Sequence, residues 1–241
     1  AFEGPSGVAR ARLLVFAEGG IATEEARRRE YGQHAVICRV VSREPHRNRA
    51  FERFTPEGPV ALLPMRDAWA LVLTCREADS ARIAALADGE FLGYLQSRFG
   101  ERLRFVAAEP RFVYPLGLRY RDRPIAPRQA WIGNAAQTLH PVAGQGFNLA
   151  LRDIWQLAEA VGRAVGSGGD PGAPATLAAY AAAHRLDRRG AMGFTDFLVR
   201  IFDGDNPLFG HARGAGLLAM DLVPPARDFL ARRMMYGARA W

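Results

Sequence analysis

Residues 131–153, Trp-Ile-Gly-Asn-Ala-Ala-Gln-Thr-Leu-His-Pro-Val-Ala-Gly-Gln-Gly-Phe-Asn-Leu-Ala-Leu-Arg-Asp, concentrate the side chains and glycines best suited to contact a ligand. Their order predicts a strand, a turn, a glycine-rich loop and a long helix. A helix start leaves backbone N–H groups unpaired and carries a partial positive charge. Gly144 and Gly146 would let an anionic or electron-rich ring reach those groups without side-chain obstruction. Spacing alone equally allows a tightly packed turn with no ligand.

Other reactive residue types form no constellation. His140 precedes Pro141 and reads as a structural histidine rather than a general base. Arg152 and Asp153 allow a local network with neighbouring elements, with a charge pair on the helix surface as the default reading. Cys38 and Cys75 sit in no Cys-x-x-Cys pattern and read as buried thiols, and the five histidines are far apart in sequence. No metal site is expected, and no catalytic residue is assigned.

The elements around this stretch follow from pattern. Strands are expected over residues 10–17, Ala35–Val41, Arg49–Thr55, Val60–Leu63, Trp69–Cys75, 102–107, 111–118 and 129–132. Ala1–Phe2 would be a strand tail that folds back through Gly4-Pro5-Ser6-Gly7 into the strand over 10–17. Helices are expected over 77–87 and 89–99, with Thr74 and Asp88 as N-caps, and over 145–165, 174–202, 207–222 and 225–236. Residues 166–172 form a linker-like break.

Composition bounds the function classes. The chain has 241 residues, of which 49% are hydrophobic and 24% charged, so a globular core is affordable and wholesale disorder is excluded. Lysine is absent, and 32 basic residues against 25 acidic ones make the net charge of +7 entirely arginine-borne. The arginines are scattered, with Arg27-Arg28-Arg29 the longest run, so nucleic-acid binding is not expected. No stretch has the roughly 18 apolar residues of a membrane span. Without a signal pattern in residues 1–30, the expected location is cytoplasmic.

The run from Trp131 to Asp153 resembles the second FAD-binding motif of aromatic-ring flavoprotein monooxygenases of the p-hydroxybenzoate hydroxylase type. Within that superfamily it is similar to the ubiquinone-biosynthesis hydroxylases. The variant Gly133-Asn134-Ala135-Ala136-Gln137 looks like the 2-polyprenyl-6-methoxyphenol hydroxylase branch. Arg49–Thr55, Gly58-Pro59, Ala61–Met65 and Pro225–Asp228 agree with that branch, so the resemblance covers essentially the whole chain.

The resemblance implies an α/β fold, here an α+β fragment: an antiparallel substrate-domain sheet plus the C-terminal strand, Gly-rich loop and helices of an FAD/NAD(P)-binding fold. It divides the chain into part of the FAD domain (1–30), the substrate domain (31–122), an FAD-domain strand, loop and helix (123–166), and C-terminal helices (167–241). It implies cofactor contacts at Gly133, Asn134, Pro141, Gly144, Gln145, Gly146, Phe147 and Asn148. Asn134 would bond the ribityl or phosphate region, Pro141 would lie beside the flavin ring, and Gln145 and Asn148 would orient that ring. The amides of Gly146, Phe147 and Asn148 would face its O2/N1 edge.

The family's Gly-x-Gly-x-x-Gly hexad, which cradles the pyrophosphate, occurs nowhere in these residues. A family Ala-Asp-Gly motif stands here as Ala17-Glu18-Gly19. The resemblance therefore implies the C-terminal part of a longer, FAD-dependent enzyme that hydroxylates a polyprenylated phenol in ubiquinone biosynthesis, with NAD(P)H as a candidate reductant. The present residues alone would bind FAD weakly or not at all. Phe51, Phe54, Leu63, Trp69, Tyr114 and Leu116 are candidates for the apolar sheet that would cover a substrate. Basic and apolar residues over Arg227–Tyr236, with Trp241, suit peripheral contact with the inner membrane or a biosynthetic complex. Two other readings stay open: a non-catalytic scaffold or quinone-precursor-binding protein on this fold, and an anionic-surface binder driven by arginine.

Overall fold

The structure is a computed structural model that describes residues 2–4, 7–202 and 207–237. In chain order the strands are β1 (Phe2–Gly4), β2 (Gly7–Ala9), β3 (Leu14–Phe16), β4 (Arg27–Ser42), β5 (Phe51–Thr55), β6 (Gly58–Met65) and β7 (Ala68–Arg76). After helices α1 (Glu77–Ala85) and α2 (Asp88–Phe99) come β8 (Phe105–Ala108), β9 (Phe112–Tyr120), β10 (Ile125–Ala126), β11 (Gln129–Trp131) and β12 (Gln137–Thr138). Four helices follow: α3 (Gln145–Gly166), α4 (Pro174–Phe202), α5 (Pro207–Leu222) and α6 (Pro224–Tyr236). The chain divides into two compact units, the first made of 1–29, 118–196 and 220–241, the second of 30–117 and 197–219.

The second unit is built on an antiparallel sheet. Strand β4 pairs with β7 from Gln33↔Arg76 to Val40↔Trp69, and β7, β6 and β5 follow in order. Alternation along these strands sends Val36, Cys38 and Val40 to one face, where Leu71, Leu73 and Trp69 of β7 join them. Phe91, Leu95 and Phe99 recur at helical spacing on α2 and close the same core. Leu63 of β6 and Phe112, Val113 and Tyr114 of β9 are exposed.

The first unit holds the glycine-rich stretch. Strand β11 pairs in parallel with β3, Gln129↔Leu14 through Trp131↔Phe16, and antiparallel with β10. Ala130, Leu157 and Ala160 pack with Leu177 and Tyr180 of α4 as this unit's core. The N–H groups of Gly168 and Gly169 return to Val165 and Ala164, ending α3 in the expected break.

Several expectations need correction. The strand over 10–17 contracts to β3, and Phe2 pairs with Ala9 in the short ribbon β1–β2. Thr74 lies inside β7 and caps nothing. Arg76 and Ala87 occupy the N-cap positions of α1 and α2, and Asp88 is the first helical residue. A cap that counts is instead the Glu90 carboxylate, which accepts from the Ala87 N–H at 3.2 Å. Pro5, Ser6 and Trp241 lie outside the described residues. Among the described residues, no helix is long and apolar enough to cross a membrane.

Candidate functional site

The site is assembled at the C-terminal end of β11. Ile132 donates its N–H to the Phe16 carbonyl at 3.0 Å, extending the β3–β11 ladder into the turn. The Phe16 and Trp131 rings stack 4.9 Å apart, and the Arg121 guanidinium lies 4.6 Å from the Trp131 ring centre. The chain then reverses in a single 3-10 turn, Gly133–Ala135. Gly133 has φ +57°, and a Cβ there would meet the Ala150 methyl of α3 at 3.5 Å, so this turn lies directly on the helix.

His140 starts a second 3-10 turn, Pro141–Ala143. Its Nδ1 accepts the Val142 N–H at 3.1 Å, and burial pushes the imidazole down to about 4, so the ring is neutral near pH 7. It is a structural cap, as its lone position in the sequence suggests. Gly144 follows in the left-handed region at φ +59° and is the N-cap of α3. No side chain caps this helix, and its first turn holds no acidic residue. A Cβ at Gly144 or Gly146 would meet nothing within 4 Å. Open glycine surface next to uncapped helical N–H groups suits an anionic or electron-rich group.

The predicted contact residues divide by exposure. Asn134, Pro141, Gly144 and Phe147 are exposed, and Gly133, Gly146 and Asn148 are half-buried. Gln145 differs: its side chain is buried and lines a cavity bounded by α4 and α6, so it is turned from solvent rather than presented beside the loop. Glu18, in the bend just after β3, is exposed.

Beneath the loop lies a polar network around Asp153, the alternative to a surface charge pair, whose partners the sequence did not reveal. Asp153, fully buried, accepts the Gly133 N–H at 2.9 Å and the Gln137 side-chain N–H at 2.7 Å through the same carboxylate oxygen. Its other oxygen lies 2.9 Å from Nδ1 of buried His184, close but poorly aligned for a hydrogen bond. The Gln137 carbonyl accepts from Arg188 Nε at 2.8 Å, and Arg188 also donates to the Arg121 main-chain carbonyl. Burial lowers the pKa of Arg188, while the Asp153 charge opposes that shift. Tyr180 stacks on His184 at 5.8 Å and donates to the Trp131 carbonyl at 3.2 Å. Asp153 is therefore not half of a helix-surface charge pair. The readable signal was its position on the face that buries Leu149, Gln156, Leu157 and Ala160.

Sequence and fold comparisons place this arrangement in a class. The sequence profile of the FAD binding domain family matches residues 4–188. The chain belongs to that family. It is 40% identical over 234 residues to ubiquinone hydroxylase UbiL of Rhodospirillum rubrum, covering 94% of this chain and 54% of that protein. It is 28% identical over 234 residues to the mitochondrial ubiquinone biosynthesis monooxygenase COQ6 of Homo sapiens, covering 82% of this chain and 50% of that one. Among solved structures, OxyS anhydrotetracycline hydroxylase from Streptomyces rimosus superposes with a TM-score of 0.67 at 20% identity, over 97% of this chain and 48% of that one. The last comparison shows the fold. The chain spans about half the length of these relatives. Both the α/β architecture and the resemblance to the ubiquinone-biosynthesis hydroxylases stand on these comparisons.

Proposed function

We propose that these residues supply the flavin-ring end of the FAD site in a longer flavin-dependent monooxygenase that hydroxylates the ring of a polyprenylated phenol in ubiquinone biosynthesis. The observation that carries this reading is the uncapped start of α3 behind Gly144, with open space over Gly144 and Gly146. FAD, when bound, supplies the electrons and the oxygen activation that no side chain can. NAD(P)H is the proposed reductant.

The residues of this chain hold and orient. The N–H groups of Gly146, Phe147 and Asn148 donate to the electron-rich edge of the ring, aided by the dipole of α3. Gly133 and Asn134 form the turn toward the ribityl side, and Pro141 and Phe147 offer exposed apolar surface to the ring. Gln145, being buried, contributes through its main chain. The exposed Leu63, Phe112, Val113 and Tyr114 of the second unit support an apolar substrate. Exposed Arg227, Phe229 and Arg232 on α6 support a peripheral seat on an anionic membrane.

FAD content of the full-length protein after desalting tests this reading, with Gly146→Val as the variant. The wild type is expected to keep FAD, and Gly146→Val to lose at least about tenfold in FAD affinity. Equal retention by both would overturn the reading. The 241-residue stretch alone, holding only the ring end, is expected to lose FAD on desalting. Loss of FAD from the full-length protein as well would favour a non-catalytic scaffold or a protein that binds lipid or quinone precursors.

A further inference from the structure

Two adjoining cavities lie along the flank of α3, on the side that α4 and α6 face. The first, of about 230 Å³, is walled by Ala191, Phe194, Leu230 and Met234, with Arg152, Asp187 and Arg233 as its charged groups. The second, of about 420 Å³, shares Arg152 and Asp187 with the first and is walled by Leu151, Trp155, Met235 and Tyr236. Its remaining carboxylate, Glu159, is paired with Arg163 at 2.9 Å.

Among the described residues, charge in the first cavity does not balance. Two guanidinium groups face one carboxylate, which leaves about one unit of positive charge. Asp187 lies 3.6 Å from Arg233 and accepts from the Gln156 amide at 3.1 Å. Nε and Nη1 of Arg152 are buried and have no hydrogen-bond acceptor among the described residues. Arginine cannot discard its proton to escape this cost, so these two donors suit an acceptor that enters the cavity. Burial lowers the Arg152 pKa despite the nearby Asp187 charge, as expected for a desolvated cation short of partners.

The backbone holds these side chains in place. A Cβ at Gly237 would stand 2.6 Å from Asp187 Oδ1 and 2.8 Å from Arg152 Cδ, so only a glycine lets the chain cross here. Polar groups converging at one end of an otherwise apolar cavity are the pattern of a small-ligand site.

We propose that this cavity binds an amphipathic carboxylate, with its head on Arg152 and Arg233 and its apolar body along Phe194, Leu230 and Met234. A monoanion matches the unbalanced charge, whereas a phosphate dianion would add repulsion against Asp187. The proposal stands on cavity, charge and orphaned donors, independently of the flavin reading.

Isothermal titration with decanoate, below its micelle concentration, is the test, with decanol and acetate as comparison probes. Decanoate is expected to bind one saturable site per chain, decanol at least about tenfold more weakly, and acetate not measurably. Arg152→Met should lower decanoate affinity at least about tenfold and leave decanol unchanged. Ala191→Leu, which fills the cavity without touching its charge, should weaken both. The proposal is overturned by absence of saturable decanoate binding, by equal affinity for decanoate and decanol, or by acetate binding as tightly as decanoate. Unchanged decanoate affinity in either variant overturns it as well. Should Arg152→Met fail to fold, Ala191→Leu decides.

Discussion

The carboxylate of Asp153 accepts the main-chain N–H of Gly133 at 2.9 Å, tying the third turn of α3 to the turn that leaves β11. The same oxygen holds Gln137, and through Gln137 it reaches Arg188 on α4. Truncation at Asp153 would leave the Gly133 N–H and the Gln137 amide without their acceptor and buried His184 without its neighbouring carboxylate. Asp153→Ala is expected to cost about 3 kcal/mol of unfolding free energy. Asp153→Asn, which keeps one oxygen, should recover part of that loss. Urea denaturation checks both, and a loss below about 1 kcal/mol for the alanine variant would show that the network carries little stability.

How much of this was legible beforehand depends on the kind of signal. Helices α3 and α4 repeat apolar residues over many turns, and their bounds follow the sequence to within about two residues. The strands of the second unit were readable from Val, Ile and Trp runs between turn residues. Strand β4 was readable only over its apolar half, because Arg27–Tyr31 carries charges that mask the continuation of the strand. The ribbon β1–β2 and the two-residue strands β10 and β12 are too short to give periodicity. At the site, the glycine loop was visible by residue type. The burial of Asp153, His184 and Arg188 was not, because one residue of α3 and two of α4 come together only once those helices pack. Gln145 shows the same limit, since residue type alone did not say which way its side chain turns.

His140 makes stability depend on pH in a defined direction. Its folded-state value, pushed down to about 4 by burial, lies below the ordinary value of 6.5 that the unfolded chain recovers. The unfolded state therefore binds more protons between these values, and stability is lost as pH falls from about 6.5 toward about 4. The slope is on the order of 1 kcal/mol per pH unit in the lower part of that window. His140→Asn keeps a side-chain oxygen to accept the Val142 N–H, so it should flatten this dependence while holding the turn. Denaturation curves at pH 7 and pH 5 for the two proteins compare the slopes, and equal slopes would remove His140 as the cause.

Cys38 and Cys75 are expected to be unreactive in the folded protein. Both are buried, and burial pushes each thiol up to about 11, so almost no thiolate exists at neutral pH. A maleimide at pH 7 should label neither under native conditions and both after denaturation. Rapid native labelling of Cys38, on β4, would mean that its strand opens far more readily than its core position implies.

Gly144 and Gly146 stand two residues apart, yet alanine at each should move stability in opposite directions and cofactor affinity in the same one. Gly144 sits at φ +59°, where a Cβ costs about 1 kcal/mol by conformation alone, with no clash to add to it. Gly146 lies in the first turn of α3 with open space around it, so alanine there restricts the unfolded chain and is expected to stabilise by about 0.5 kcal/mol. Gly144→Ala should lower the melting temperature by about 3 °C, and Gly146→Ala should raise it by about 1 °C. On the proposed flavin site, both methyl groups in the full-length protein would intrude at the ring's place by the helix start, so both variants should hold FAD less tightly. Calorimetry and FAD titration on the same two proteins separate the effects. Weaker FAD binding in Gly146→Ala, with stability unchanged or raised, can arise only from the ligand side of the loop. Unaltered FAD binding there would remove the open face of Gly146 from the cofactor site.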